Sequence, residues 1–237
     1  MIANPSDILF QRLADSASLN VELKRHLVRL KPCCLRHQFS LSAVDLALEH
    51  HQAIGRLFKK GLYGSGTALA RSLAEATTAA YWFNYIASDE EVAQLPTDPM
   101  SEAEKVDVAT LTAVAEKLIP LFPPMSGIRS ALQSRGPDSL RWLHKYSHGG
   151  TPQLLRRPLT FGWTEVDVHH KLLLADLLAT GAVQSTIVFR PDQSLDAALV
   201  GKKQALDAWR VMYFGGQPAQ DEGALPQSEQ RCHGDPV

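Results

Sequence analysis

The stretch SGTALARSLAEATTAAYWFNYIAS, Ser65 to Ser88, decides the fold class, because Leu69, Leu73, Ala76, Ala80 and Phe83 recur at alternating steps of four and three. A helical residue advances about 100°, so those steps return side chains to one face, whereas a strand would need alternation by two. The alanines between them allow a neighbouring helix to approach closely. The same periodicity continues outward in both directions. Leu41, Val44, Leu48, Ile54 and Phe58 mark a helix from about Ser40 to Lys60, and Ser6 to Leu30 reads as one or two short helices with Ser6 as N-cap, ending before Pro32. GLYGSG (61–66) has the glycine content of a phosphate loop but lacks its lysine and a preceding strand, so it reads as an inter-helix turn.

Downstream, DEEVAQLPTDPMSE (89–102) reads as a short helix and loop, and Glu102 to Leu121 as a further helix. A short helix before RGPDS (135–139) follows, then two helices over Thr164–Val188 and Ser194–Phe214. β-branched alternating runs are nearly absent. The expected fold is therefore all-α, an up-and-down helical bundle with additional peripheral helices, forming a single domain over 1–215 with a disordered tail over 216–237.

The chain has 237 residues, 45% of them hydrophobic and 21% charged, with a formal net charge of −1. This suits a globular domain with a full core and argues against a surface devoted wholly to nucleic acid or anionic membrane. Between Arg129 and Arg157, however, six basic residues face one acid, Asp138, a local excess of +5. The opening MIANPSDILFQRLADS lacks the basic-then-apolar order of a secretory signal, and the longest apolar segment, KLLLADLLATGAV (171–183), is interrupted by Asp176 and too short to span a bilayer. The expectation is a soluble cytoplasmic protein with no membrane association. Cys33 and Cys34 are adjacent and Cys232 lies far away, which gives neither a disulfide framework nor zinc-ligand spacing; the pair reads as small core residues.

The chemistry concentrates in SLRWLHKYSHGGTP, Ser139 to Pro152. Arg141 and His148, seven apart, share a helix face with His144 close by, while Tyr146 and Trp142 offer rings for stacking. As pure structure, His148 complements the helix dipole in the last turn and Gly149 takes the left-handed position that ends the helix. As a metal site, His144 and His148 stand at i and i+4, with further ligands available from Glu165, Asp167, His169 and His170 or from Asp45, Glu49, His50 and His51. As an anion site, Gly149 and Gly150 precede the free amides of a helix starting at Thr151, with Arg156 and Arg157 one turn on. Arg71 and Glu75, four apart in the alanine-rich helix, can pair, and either fix helix packing or join a site. No cofactor is called for.

Arg141 followed by six residues and His148 resembles the Arg-x(4–6)-His pattern of the HEPN superfamily, all-helical bundles found in bacterial toxin and antiviral systems. ALARSLAEATTAAYWFNYI followed later by YSHGG is similar to a group of uncharacterised bacterial all-helical proteins that includes abortive-infection-like members. The resemblance implies a metal-independent endoribonuclease or nucleotide-acting site at a homodimer interface, and an antitoxin-like protein partner. In it Arg141 holds phosphate and His148 acts as general acid or base. Trp142 directly after the arginine and His144 within the spacing depart from the usual pattern. The alternatives are a non-catalytic helical interaction or regulatory module, and a His/carboxylate metal-binding bundle.

Overall fold

The 23-residue helix Tyr63–Tyr85 (α3) carries the pattern that the sequence displays: Leu73 and Ala80 are fully buried, and Ala70, Ala74, Ala76 and Phe83 nearly so. In the computed structural model, residues 5–95, 116–117, 147, 162–189 and 193–214 are described, and every regular element among them is helical. The fold is all-α. In chain order the helices are α1 (Pro5–Leu27), α2 (Leu35–Lys59), α3, α4 (Asp89–Ala93), α5 (Glu165–Gln184), which runs on into a 3-10 turn (Ser185–Phe189), and α6 (Gln193–Phe214). Apart from Glu116, Lys117 and Ser147, which are helical, the helices expected over Glu102–Leu121 and around RGPDS and SLRWLHKYSHGGTP, and the tail 216–237, lie outside the described residues.

α5 is the central element: α1, α2, α3 and α6 all pack on it, and α2 and α3 share the most extensive helix–helix contact. Val44, Leu48, Ile54 and Phe58 of α2 meet Leu73 and Ala80 of α3 and Leu172, Ala175 and Ala179 of α5 in one core, joined by Leu23 of α1 and Leu199 of α6. Each fully buried leucine, isoleucine or phenylalanine there contributes about 1.5–3 kcal/mol. Tyr81, Trp82, Phe83, Ala87 and Val92 form a second cluster against Phe39. Both the alanine-rich and the aromatic faces of α3 are thus covered within the chain.

Element boundaries differ from the sequence reading for identifiable reasons. α1 is one continuous helix, because the poor helix formers Ser16 and Asn20 point their side chains across the bundle instead of at their own backbone. α2 begins at Leu35, earlier than Ser40, whose hydroxyl donates to the Ala80 carbonyl at 3.3 Å rather than capping a helix. α2 ends in a Schellman motif: Leu62 N–H bonds to Leu57 O and Gly61 N–H to Phe58 O, both at 2.9 Å, with Gly61 at φ 72°. The rest of GLYGSG belongs to α3. Gly66 lies so near Phe58 that a Cβ would come within 2.5 Å of the ring, so a glycine here permits the two helices to meet.

α5 starts with a capping box in which Thr164 and Asp167 satisfy each other's backbone N–H groups. At its far end Ser185 and Thr186 donate hydroxyls to the carbonyls three residues back, Ala182 and Val183, each at 2.7 Å, and the helix tightens to 3-10 geometry. The segment Glu165–Phe189 is, by length and a mean hydropathy of 1.7, enough to cross a bilayer. That corrects the expectation that this apolar stretch is too short. Four helices pack around it and Asp176 is paired inside, so within this bundle it is the core helix.

Candidate functional site

Arg71 and Glu75, of the residues singled out in the sequence, lie on a partly exposed face of α3. Arg71 Nε donates to Glu75 Oε1 at 2.7 Å, and the side chains are 26% and 47% exposed. The pair is a surface pair, not an internal brace. Nε is the guanidinium nitrogen engaged, and among the described residues no hydrogen bond to the two terminal nitrogens accompanies it. Arg141, His144, Tyr146, His148, Gly149, Gly150, Arg156 and Arg157 lie outside the described residues.

A different constellation occupies the interior. Asp176 on α5 is fully buried and receives Arg12 Nη2 of α1, Ser16 Oγ at 2.6 Å and His51 Nε2 of α2 at 2.6 Å. Asn20 Nδ2 donates both to the Leu48 carbonyl and to His51 Nδ1, each at 2.9 Å. Because Nδ1 accepts, His51 carries its proton on Nε2 and donates it to the carboxylate. The set contains serine, histidine and aspartate, yet it is not wired for nucleophilic attack. In a catalytic triad the carboxylate and the hydroxyl hold opposite ring nitrogens. Here Ser16 and His51 Nε2 converge on the same carboxylate oxygen, Oδ1, and Asn20 occupies Nδ1. The arrangement clamps three helices together.

The clamp forms one wall of a cleft of about 280 Å³ between α1 and α2, with Ser16, Asn20 and His51 inside and Phe10, Arg56 and Lys59 at the rim. Asn20 Oδ1 is buried and accepts no hydrogen bond among the described residues. Lys59 Nζ stands 5.9 Å from the centre of the Phe10 ring, a cation–π contact across the mouth. Arg12, Ser16 and Asn20 went unrecognised in the sequence, although their spacing of four marks a polar stripe between Leu13 and Leu23. Asp176 was noticed only as a break in an apolar run.

The carboxylate–histidine sets considered for a metal do not converge among the described residues. Asp45 and Glu49 face solvent while His51 is inside, and Asp167 is engaged in its helix cap. The side chains that do converge are Cys33, Cys34 and His37, whose ligand atoms lie within 4.8 Å of one another. Cys33 is exposed and Cys34 half-buried, which corrects their reading as core residues. His37 is buried, its Nδ1 sits 3.1 Å from Cys33 Sγ, and its ring lies 4.0 Å from that of Phe189. Burial, and secondarily the Arg36 guanidinium, hold its pKa below the ordinary histidine value.

A family model described as a family of unknown function, DUF6988, matches residues 44–206. That span takes in α3, α5 and the Arg141–His148 stretch. No curated protein and no solved structure matches the chain.

Proposed function

Since the chain belongs to the DUF6988 family of unknown function, we propose that it is a HEPN-like protein acting on RNA or nucleotides in a toxin or phage-defence system, as a cytoplasmic homodimer with an antitoxin-like protein partner. The observation that carries this reading is the Arg71–Glu75 pair: a partly exposed guanidinium on a core helix, oriented by Glu75 through Nε, with no hydrogen bond to its terminal nitrogens among the described residues. A planar fork of this kind matches the oxygens of a phosphate. In this reading Arg71 and Arg141 bind the nucleic-acid backbone, His148 moves the proton at the 2′-hydroxyl or the leaving oxygen, and the basic residues up to Arg157 contribute phosphate contacts. In the same reading His144 and Tyr146 join the site, and Gly149, Gly150 and Arg156 supply further anion contacts.

The test is cleavage of a mixed single-stranded RNA pool by purified protein in chelator, wild type beside an Arg141→Ala, His148→Ala double variant. Cleavage confined to the wild type supports the proposal. Absence of cleavage and of RNA binding by the wild type sinks it.

The cleft between α1 and α2 favours a second reading, a non-catalytic interaction module. Its mouth exposes Phe10 and Val21, 65% and 51% accessible, beside Arg56 and Lys59. An apolar pair flanked by cations suits a small acidic or amphipathic ligand.

A further inference from the structure

Three side chains at the junction of α1 and α2 have no part in the RNA reading. Leu30, Lys31 and Pro32 lead out of α1, and Cys34 then serves as N-cap of α2 in extended backbone, φ −150° and ψ 169°, without any side-chain cap hydrogen bond. Leu35 starts the helix, and His37, one turn in, is directed back at Cys33, its Nδ1 3.1 Å from Sγ. The Phe189 ring holds the imidazole from the other side. Two thiols and an imidazole nitrogen therefore meet within 4.8 Å on a backbone fixed by a 25-residue helix.

We propose that Cys33, Cys34 and His37 form a metal site that binds one Zn²⁺ ion. Zn²⁺ prefers sulfur and imidazole nitrogen in a tetrahedron, with Zn–S of about 2.3 Å. Tetrahedral sulfurs at that bond length stand about 3.8 Å apart, so the three donors need to draw together by about 1 Å at most. Cys33 is exposed and Cys34 half-buried, so side-chain rotation alone supplies that movement. Binding releases one proton from each thiol, and the two thiolates neutralise the dication. The first turn of α2 contains no acidic residue, so its free N–H groups favour the thiolates as well. Three protein donors leave the fourth position to water or an external ligand. The ion would tie the α1–α2 connection to the start of α2, and through the His37–Phe189 contact to the end of the 3-10 turn after α5. The site precedes residue 44, where the family match begins.

The test uses the full chain, reduced and stripped of metal, titrated with Zn²⁺ against a chromophoric chelator. The expected result is one equivalent bound, weakened more than about 100-fold by Cys33→Ser or Cys34→Ser, beyond the ~10–100-fold typical of losing an outer-sphere partner, and unchanged by Cys232→Ser. Absence of binding, or binding that survives the Cys33→Ser, Cys34→Ser double variant, overturns the proposal. A second readout needs no variant: Zn²⁺ should slow iodoacetamide labelling of Cys33 and Cys34 together, followed by peptide mass spectrometry. Equal labelling rates with and without Zn²⁺ overturn it too.

Discussion

Arg12 on α1 and Asp176 on α5, 164 positions apart in the sequence, form an ion pair whose side chains are 6% and 0% exposed. Such a pair, by itself, adds little over a well-packed apolar one, but either member alone is expensive to leave behind. Asp176→Ala takes the carboxylate away from the buried Arg12 guanidinium and removes the acceptor shared by Ser16 and His51. The expected loss in unfolding free energy is about 3–5 kcal/mol. Arg12→Met combined with Asp176→Leu should recover a large part of it, because neither charge of the pair is then left buried without the other. Urea denaturation of the three proteins checks this; a double variant no more stable than Asp176→Ala would contradict it.

His169, nearly buried on α5, titrates below the ordinary histidine value. Burial is the main cause, and the Arg12 guanidinium and His170 push the same way against a smaller opposing pull from Glu165. A depressed histidine means that the unfolded chain takes up a proton that the folded one refuses. Stability is therefore flat above about pH 6.5 and falls as pH drops from there towards the lower folded-state value. His37 adds to the fall in the same direction. Melting temperatures measured between pH 7.5 and 5 should show the decline, and His169→Asn should flatten part of it. A wild-type melting temperature that rises on acidification over that range would refute the assignment.

Gly66→Ala tests the closest approach between α2 and α3. The added Cβ would meet Phe58 ring carbons at 2.5 and 2.6 Å, and that ring is 1% exposed and held edge-on by Tyr63. Alanine is the better helix former, yet overpacking a fixed ring costs about 1–3 kcal/mol and should win. Gly55→Ala is the matched control, since nothing lies within 4 Å of a Cβ there. It should raise stability slightly, and a chemical melt of both variants separates packing from propensity.

The helices of the described core were legible because burial enforces period: Leu73 and Ala80 had to be inside, and the steps of four and three said so. Polar partners carry no such period. His51 reads in sequence as one of a possible ligand set with Asp45, Glu49 and His50, and only the crossing of three helices shows that it joins Asn20 to Asp176. The 12–16–20 stripe on α1 could have been seen as a polar face bounded by leucines, but its mate lies more than 150 residues away. Cys33 and Cys34 misled for a related reason: adjacency in sequence suggested packing, whereas the helix start at Leu35 turns His37 back towards them.

Arg71 offers the sharpest separation between a structural and a functional role. A half-exposed i, i+4 pair with arginine first contributes a few tenths of a kcal/mol at most, so Arg71→Ala should leave the denaturation midpoint nearly unchanged. If the terminal nitrogens hold a phosphate, the same variant should reduce RNA binding or cleavage at least tenfold, the factor for about 1.4 kcal/mol from one charge-assisted contact. Arg71→Lys keeps the charge but loses the fork, and should recover only part of the activity. Glu75→Gln keeps the side-chain length while weakening the orientation of the guanidinium, so its effect should lie between that of wild type and Arg71→Ala. RNA activity in chelator together with a thermal melt reads all three variants. Wild-type RNA activity in Arg71→Ala would remove Arg71 from the site and leave the pair as surface chemistry on a core helix.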